Sequence, residues 1–248
     1  MKIKSYLLLC IIFLSTIFLI NAQTNKVTYQ YTSPIKIDIA VLYYNDTVSF
    51  FNYGAFSEGK DETNKQTSTN TADMSIVIDD SDSIGTYQYI SNEKIYERRN
   101  IKKKYYTIIE KFTPLDWQLI DSTQKIGNYT CQLASTFCYG QTFYAWYTSE
   151  IPSDKAPWKL GGLPGLILHA YDKERKHEWK ATNIEFDVEF DFSVYPSDDE
   201  KITLKKYSDL REEENQKIMR LAETIAAQHG GSVSFEQTNN YLEKEIER

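Results

Sequence analysis

Alternation of apolar and polar residues with a period of two recurs along most of the chain, and no other feature restricts its fold so tightly. Val27, Tyr29 and Tyr31 alternate with polar neighbours, and Ile35, Ile37 and Ile39 alternate with Lys36 and Asp38. The run EFDVEFDF at 185–192 is the most regular: Phe186, Val188, Phe190 and Phe192 on one side, Glu185, Asp187, Glu189 and Asp191 on the other. Successive side chains of a strand point to opposite faces, so this pattern predicts strands with one buried face. Strand-like segments also occupy 40–44, 47–53, 75–78, 85–90, 94–99, 105–112, 117–122, 129–137, 142–148, 166–171 and 179–184, with turn signals at Asn45–Asp46, Gly127–Asn128 and Tyr139–Gly140. The 19 tyrosines and 12 phenylalanines suit pleated, half-buried surfaces.

One segment departs from this period. Within 208–228, Leu210, Met219, Leu221, Ala222, Ile225 and Ala226 fall close to helical spacing, with Ser208 or Asp209 as the expected N-cap and Gly230–Gly231 as the stop. The stretch 57–73 has no large apolar residue and reads as a flexible loop. With no internal repeat and no Gly/Ser/Pro linker, 23–248 is expected to be a single, mainly β (α+β) domain ending in a helix.

The N-terminus reads as a targeting signal. Lys2 and Lys4 precede the apolar run Leu7–Ile20, and Asn21–Ala22 offers a small-residue cleavage site before Gln23. That run is shorter than the ~20 residues of a spanning helix. Residues 1–22 are therefore expected to be removed, leaving a periplasmic or secreted chain. Its two cysteines, Cys131 and Cys138, lie in an extended context. Seven steps along one strand cover ~23 Å, whereas a disulfide needs Cα atoms within about 7 Å. Two buried free thiols are the expectation.

The formal charge of −7 argues against nucleic acid as a partner, because phosphate neutralisation requires a concentrated basic face. The one basic cluster, Arg98–Arg99 with Lys102–Lys104, reads as a solvated strand edge. The sequence holds no zinc-protease helix motif, paired CxxC, phosphate loop or nucleophile elbow, and implies no cofactor or metal. His169 and His177 flank the charged turn DKERK and would need Asp172 or Glu174 to complete a metal site. The carboxylates Glu185, Asp187, Glu189 and Asp191 have a spacing compatible with a cation or a glycosidic acid pair, but a catalytic acid needs burial to raise its pKa. As the polar side of an alternating strand, they read as solvent-facing.

The stretch WKLGGLPGLILHAY, Trp158–Tyr171, concentrates glycine and proline within an apolar run. Pro164 presets φ for the second position of a turn and Gly165 supplies the positive φ that type II demands next, so a type II turn is expected at Leu163–Leu166. Gly162–Ile167 also reproduces the hexapeptide GLPGLI, and the ordered neighbours Lys125–Cys131, Ala145–Thr148, Ile151–Pro152 and Pro157–Lys159 accompany it. On these residues the chain resembles the GLPGLI (Porph_ging) family. The resemblance implies an exported cell-envelope protein built on one curved antiparallel sheet, bowl-like or half-barrel, related to the N-terminal domain of a glycan-releasing amidase. It carries over no catalytic residue.

Three readings follow. A non-catalytic binding or accessory protein would take an apolar or peptide ligand, or an outer-membrane receptor or other envelope protein, at a site lined by Trp146, Trp158 and Leu163 with Pro164 and Gly165. An envelope glycan- or peptide-directed hydrolase would act through Glu185 and Asp187 or the Asp172–His177 turn. A purely structural domain would bury the same tryptophans.

Overall fold

The computed structural model describes residues 23–34, 37–53, 74–78, 87–91, 94–194, 199–228 and 233–237. The proposed signal at 1–22, the loop at 57–73 and the Gly230–Gly231 stop lie outside the described residues.

Two antiparallel meanders account for most of the chain. The first runs β1 (Asn25–Thr32), β2 (Ile37–Tyr44), β3 (Ser49–Tyr53), then β5 (Tyr87–Ser91), β6 (Lys94–Ile101) and β7 (Lys104–Lys111), with β4 (Met74–Ile78) set apart. The second runs β8 (Gln118–Ile126), β9 (Tyr129–Cys138), β10 (Gln141–Thr148), β11 (Leu166–Asp172) and β12 (Glu178–Glu185). Pairing of β1 with β12 joins them, and β13 (Glu200–Ile202) adds a parallel edge beside β7. The result is an open, mixed 12-stranded sheet in which β13 and β8 are the two edges. The expected mainly β architecture, one large sheet with a C-terminal helix packed on it, is what the chain adopts. A separate pair is formed by β4 and β14 (Val233–Gln237), in parallel.

The core lies against one face of the second meander and β1–β2. Trp158 and Trp179 stack there with centroids 6.2 Å apart, Phe143 lies 5.4 Å from Trp158, and Tyr29 reaches through the core to donate to the Ile167 carbonyl at 2.8 Å. A smaller cluster of Tyr106, Ile108 and Tyr207 seats the helix α1 (Leu204–Gln228) on β7.

Two expectations change. The helix begins before Ser208: Thr203 is its cap, its hydroxyl accepting the Lys206 N–H at 3.2 Å, and the face it buries carries Tyr207, Asn215, Ala222 and Ala226. Leu221 and Ile225 stay exposed. The alternating run 185–192 is not a strand. Its last partnered residue is Glu185, opposite Lys26, and β1 offers one more residue before it ends. Beyond that point Asp187 turns into the left-handed region (φ 57°), Val188 donates to the Thr24 carbonyl at 2.9 Å, and Phe190 stacks on Tyr43 at 3.9 Å. Aromatic packing against β2 and β3 replaces the missing ladder.

The basic cluster is not a free edge. Arg98 pairs with Asp199 at 2.8 Å and Lys104 with Glu200 at 2.7 Å, while Lys102 meets Glu214 of α1. These ion pairs tie the β6–β7 hairpin to the C-terminal elements that follow it.

Candidate functional site

The glycine-rich loop between β10 and β11 is built from close backbone contacts. Gly165 is not in the left-handed region, and Leu166 donates to the Ile151 carbonyl at 3.0 Å, not back across a turn. The expected type II turn is therefore absent. Gly165 is required by proximity: a Cβ there would lie 2.2 Å from the Thr148 carbonyl oxygen. The glycine that does need positive φ is Gly162, at 104°, whose N–H donates to the Asp154 carbonyl at 2.9 Å. Trp117 Nε1 closes the loop from outside by donating to the Gly161 carbonyl at 3.2 Å.

This geometry fixes the expected binding residues. Trp158 (1% exposed) and Leu163 (2%) have no surface to offer a ligand in this conformation, and Gly165 is buried with them. Pro164 is exposed at the tip, and Trp146 is half-buried on the opposite face of β10. The five residues therefore do not converge on one cavity.

Between Trp158 and Leu160 sits a lysine with no exposed side-chain surface. Lys159 Nζ contacts Glu110 of β7, lies 3.4 Å from Glu97 of β6, and sits 5.1 Å from the Tyr139 ring centroid. A buried charge survives only when paired in this way. The cluster pins the loop to the β6–β7 hairpin. The signal that could have exposed it was the lone charge inside an apolar run.

The two histidines diverge. His177 is buried, with Nδ1 2.7 Å from the Tyr31 hydroxyl, and its turn is organised by Asp172, whose carboxylate accepts the backbone N–H groups of Glu174, Lys176 and His177 at 2.7–3.1 Å. His169 lies on the other face, donating from Nε2 to Glu178 Oε1 at 2.8 Å. Lys180 and Arg175 also pair with Glu178, at 2.9 and 3.0 Å. Burial alone would push the Glu178 carboxyl up, but hydrogen bonds from Lys180 and His169 outweigh it and hold the carboxyl below its ordinary value. Among the described residues no three His, Cys, Asp or Glu side chains are placed to hold a metal.

Burial lowers the His169 pKa from its ordinary 6.5, against the opposing pull of Glu178. The unfolded chain therefore takes up this proton more readily than the folded one. The contribution is complete above pH 6.5 and is lost as pH falls below it. Melting temperature is expected to drop between pH 7 and pH 5, and His169→Gln to flatten that slope. An unchanged slope would contradict the assignment.

Cys131 and Cys138 are buried free thiols on β9, pushed up by burial to about 11 and about 12. Thiolate is the reactive form. Iodoacetamide at pH 8 is expected to label neither in the folded protein and both in denaturant; labelling of the native state would overturn this placement.

The carboxylates of the 185–192 run separate. Glu185 pairs with Lys26 at 2.8 Å. Asp187, Glu189 and Asp191 border an open depression of about 880 Å³ that Phe190, Phe192, Thr24 and Asn45 also line. Asp191 is held below the ordinary carboxylate range by hydrogen bonds from Ser193. Glu185 is half-buried, and Asp187, Glu189 and Asp191 are exposed.

Residues 53–207 match the family described as the N-glycanase peptide, N-terminal domain. The chain belongs to this family. The GLPGLI resemblance is corrected accordingly: the segment that carried it, Lys125–Tyr171, falls inside the matched region. Its glycines are explained by the contacts of this N-glycanase-type domain, Gly165 against Thr148 and Gly162 at positive φ. Two crystal forms of PNGF-II, in space groups P21 and C2, are similar to the chain at 18% and 17% identity, with TM-scores of 0.53 and 0.52. Both alignments cover 78% of this chain but 34% and 33% of the other, so the chain spans about a third of that protein's length. An uncharacterized conserved protein from Thermus thermophilus aligns at 8% identity and a TM-score of 0.42, over 74% of this chain and 91% of its own. No curated protein sequence matches the chain.

Proposed function

We propose that this chain is a glycan-directed, non-catalytic accessory domain of an exported protein. The carrying observation is that 53–207 match a domain named for its place at the N-terminus of an N-glycanase. The chemistry of the residues agrees with an accessory role. His177 is bonded to Tyr31, Lys159 is held between Glu97 and Glu110, and both thiols are pushed above the range in which they react. Asp187, Glu189 and Asp191 are exposed. Export is proposed from the Lys2–Ala22 signal pattern with cleavage before Gln23, and would put the domain at the cell envelope with a receptor or other envelope protein as its neighbour.

The test is binding of the purified chain to a glycoprotein and to the same protein with its glycans removed. Preferential binding of the glycosylated form supports the reading, and equal or absent binding of both overturns it. Release of free glycan by the purified chain would overturn the non-catalytic half and move attention to Asp187 and Glu189.

A further inference from the structure

The face of the sheet opposite the core is not an ordinary solvated surface. Directly opposed residues of an antiparallel ladder share a face, and the register draws two rows across it. One runs Ser135, Tyr144, Tyr171, Glu178, Thr32; the next runs Leu133, Trp146, His169, Lys180, Gln30. At about 4.8 Å between strands, each row is roughly 20 Å long. Every residue in both rows is half-buried or exposed. Phe137, 70% exposed, continues the aromatic end on β9, and Ile37 and Ile39, 68% and 53% exposed, continue the opposite end on β2.

The rings are held in place by charged neighbours. Tyr144 and Tyr171 stack at 5.5 Å, His169 lies 5.0 Å from Tyr171, and the Arg175 guanidinium covers the Tyr171 ring at 4.0 Å. Two cations, Lys180 and Arg175, surround one carboxylate, Glu178. The chain has 35 acidic and 28 basic residues, yet Glu178 is the sole carboxylate in the two rows. Its side chain is 13% exposed, whereas its partners Lys180 and Arg175 are 52% and 58% exposed. A ligand approaching this face meets aromatic surface beside two cations, with the balancing carboxylate recessed beneath them.

We propose that this face is a binding platform for a carboxylate-bearing oligosaccharide laid across strands β9 to β12. Apolar C–H faces of the sugar rings would pack on Trp146 and Tyr144, with Tyr171 and its covering Arg175 closing one end. Lys180 and Arg175 would meet the carboxylate, since charge-assisted hydrogen bonds to carboxylate are the strong ones. The choice of a saccharide over an acidic peptide rests on the glycan-directed reading above; the choice of an acidic one rests on the cations of this face.

The test uses the full chain with three probes: a disialylated biantennary N-glycopeptide, its desialylated form, and a glutamate-rich peptide. Binding is followed by calorimetry, with melting temperature recorded for each variant. The sialylated probe is expected to bind most tightly. Trp146→Ala should weaken it about tenfold or more, as for a central aromatic anchor. Lys180→Glu, at an exposed position that leaves the core untouched, should abolish the preference for the sialylated over the desialylated form. Phe192→Ala, in the depression on the other side of β1, should change nothing. Wild-type binding that survives both Trp146→Ala and Lys180→Glu would overturn the platform and leave the glycan-directed reading standing. Equal binding of the two glycopeptides would overturn the acidic-sugar assignment, and tighter binding of the glutamate-rich peptide would replace it with a peptide partner. Failure of the wild type to bind either glycopeptide would remove the underlying reading and the platform with it.

Discussion

Lys159→Ala is expected to destabilise this protein strongly. The Lys159 side chain has no exposed surface, and the carboxylates it pairs with, Glu97 and Glu110, are 7% and 18% exposed. Removing one partner from a buried pair leaves the remaining charge desolvated, at a cost of about 3–5 kcal/mol. Glu97 keeps Arg99 at 2.8 Å, and both carboxylates lose the lysine. A second variant separates charge from volume. Lys159→Met with Glu110→Gln removes both charges and keeps the bulk, and should recover more than half of the loss, because replacing a whole buried pair is often near neutral. Urea denaturation of the three proteins is the measurement. A loss below about 1 kcal/mol for Lys159→Ala, the scale of an exposed pair, would mean that the contact is incidental.

The same lysine shows what a sequence can and cannot reveal. A charged residue between Trp158 and Leu160 is visible as an anomaly, but its partner Glu110 stands 49 residues upstream on β7 and nothing local points to it. The strands were legible because one face of each is buried, which writes a period of two into the residues. The run 185–192 shows the limit of that reasoning. It has the period but not a neighbour, since β1 is all but exhausted where Glu185 pairs with Lys26. The parallel edge strand β13 is three residues long, too short to carry a pattern. The helix starts earlier than its sequence suggests because Lys205 and Lys206 occupy its first turn, where acids are favoured, while the acids at 212–214 imitate a later beginning. The outer face was half legible. Trp146 stood out by residue type, but its alignment with His169 and Lys180 exists only in the register.

Gly165 decides between two accounts of the loop. If it were there for positive φ, asparagine would be tolerated better than alanine, because Asn enters the left-handed region more readily than other residues with a side chain. The observed reason is different: a Cβ would stand 2.2 Å from the Thr148 carbonyl oxygen, 2.6 Å from its carbon and 3.0 Å from the Ser149 nitrogen. All three are backbone atoms, so no rotamer change relieves the clash. Gly165→Ala and Gly165→Asn are both expected to cost about 3 kcal/mol, the upper part of the range for overpacking, with Asn no milder than Ala. Pro164→Ala, one residue earlier at an exposed tip, should cost at most about 1 kcal/mol, through added freedom of the unfolded chain. Thermal melts of the three variants resolve the accounts. An asparagine variant close to wild type, with alanine strongly destabilised, would restore the turn explanation. Equal loss in both, with the proline variant near wild type, places the constraint in the approach of the β11 entry to the end of β10, the contact that holds the loop over Trp158 and lets Lys159 reach β7.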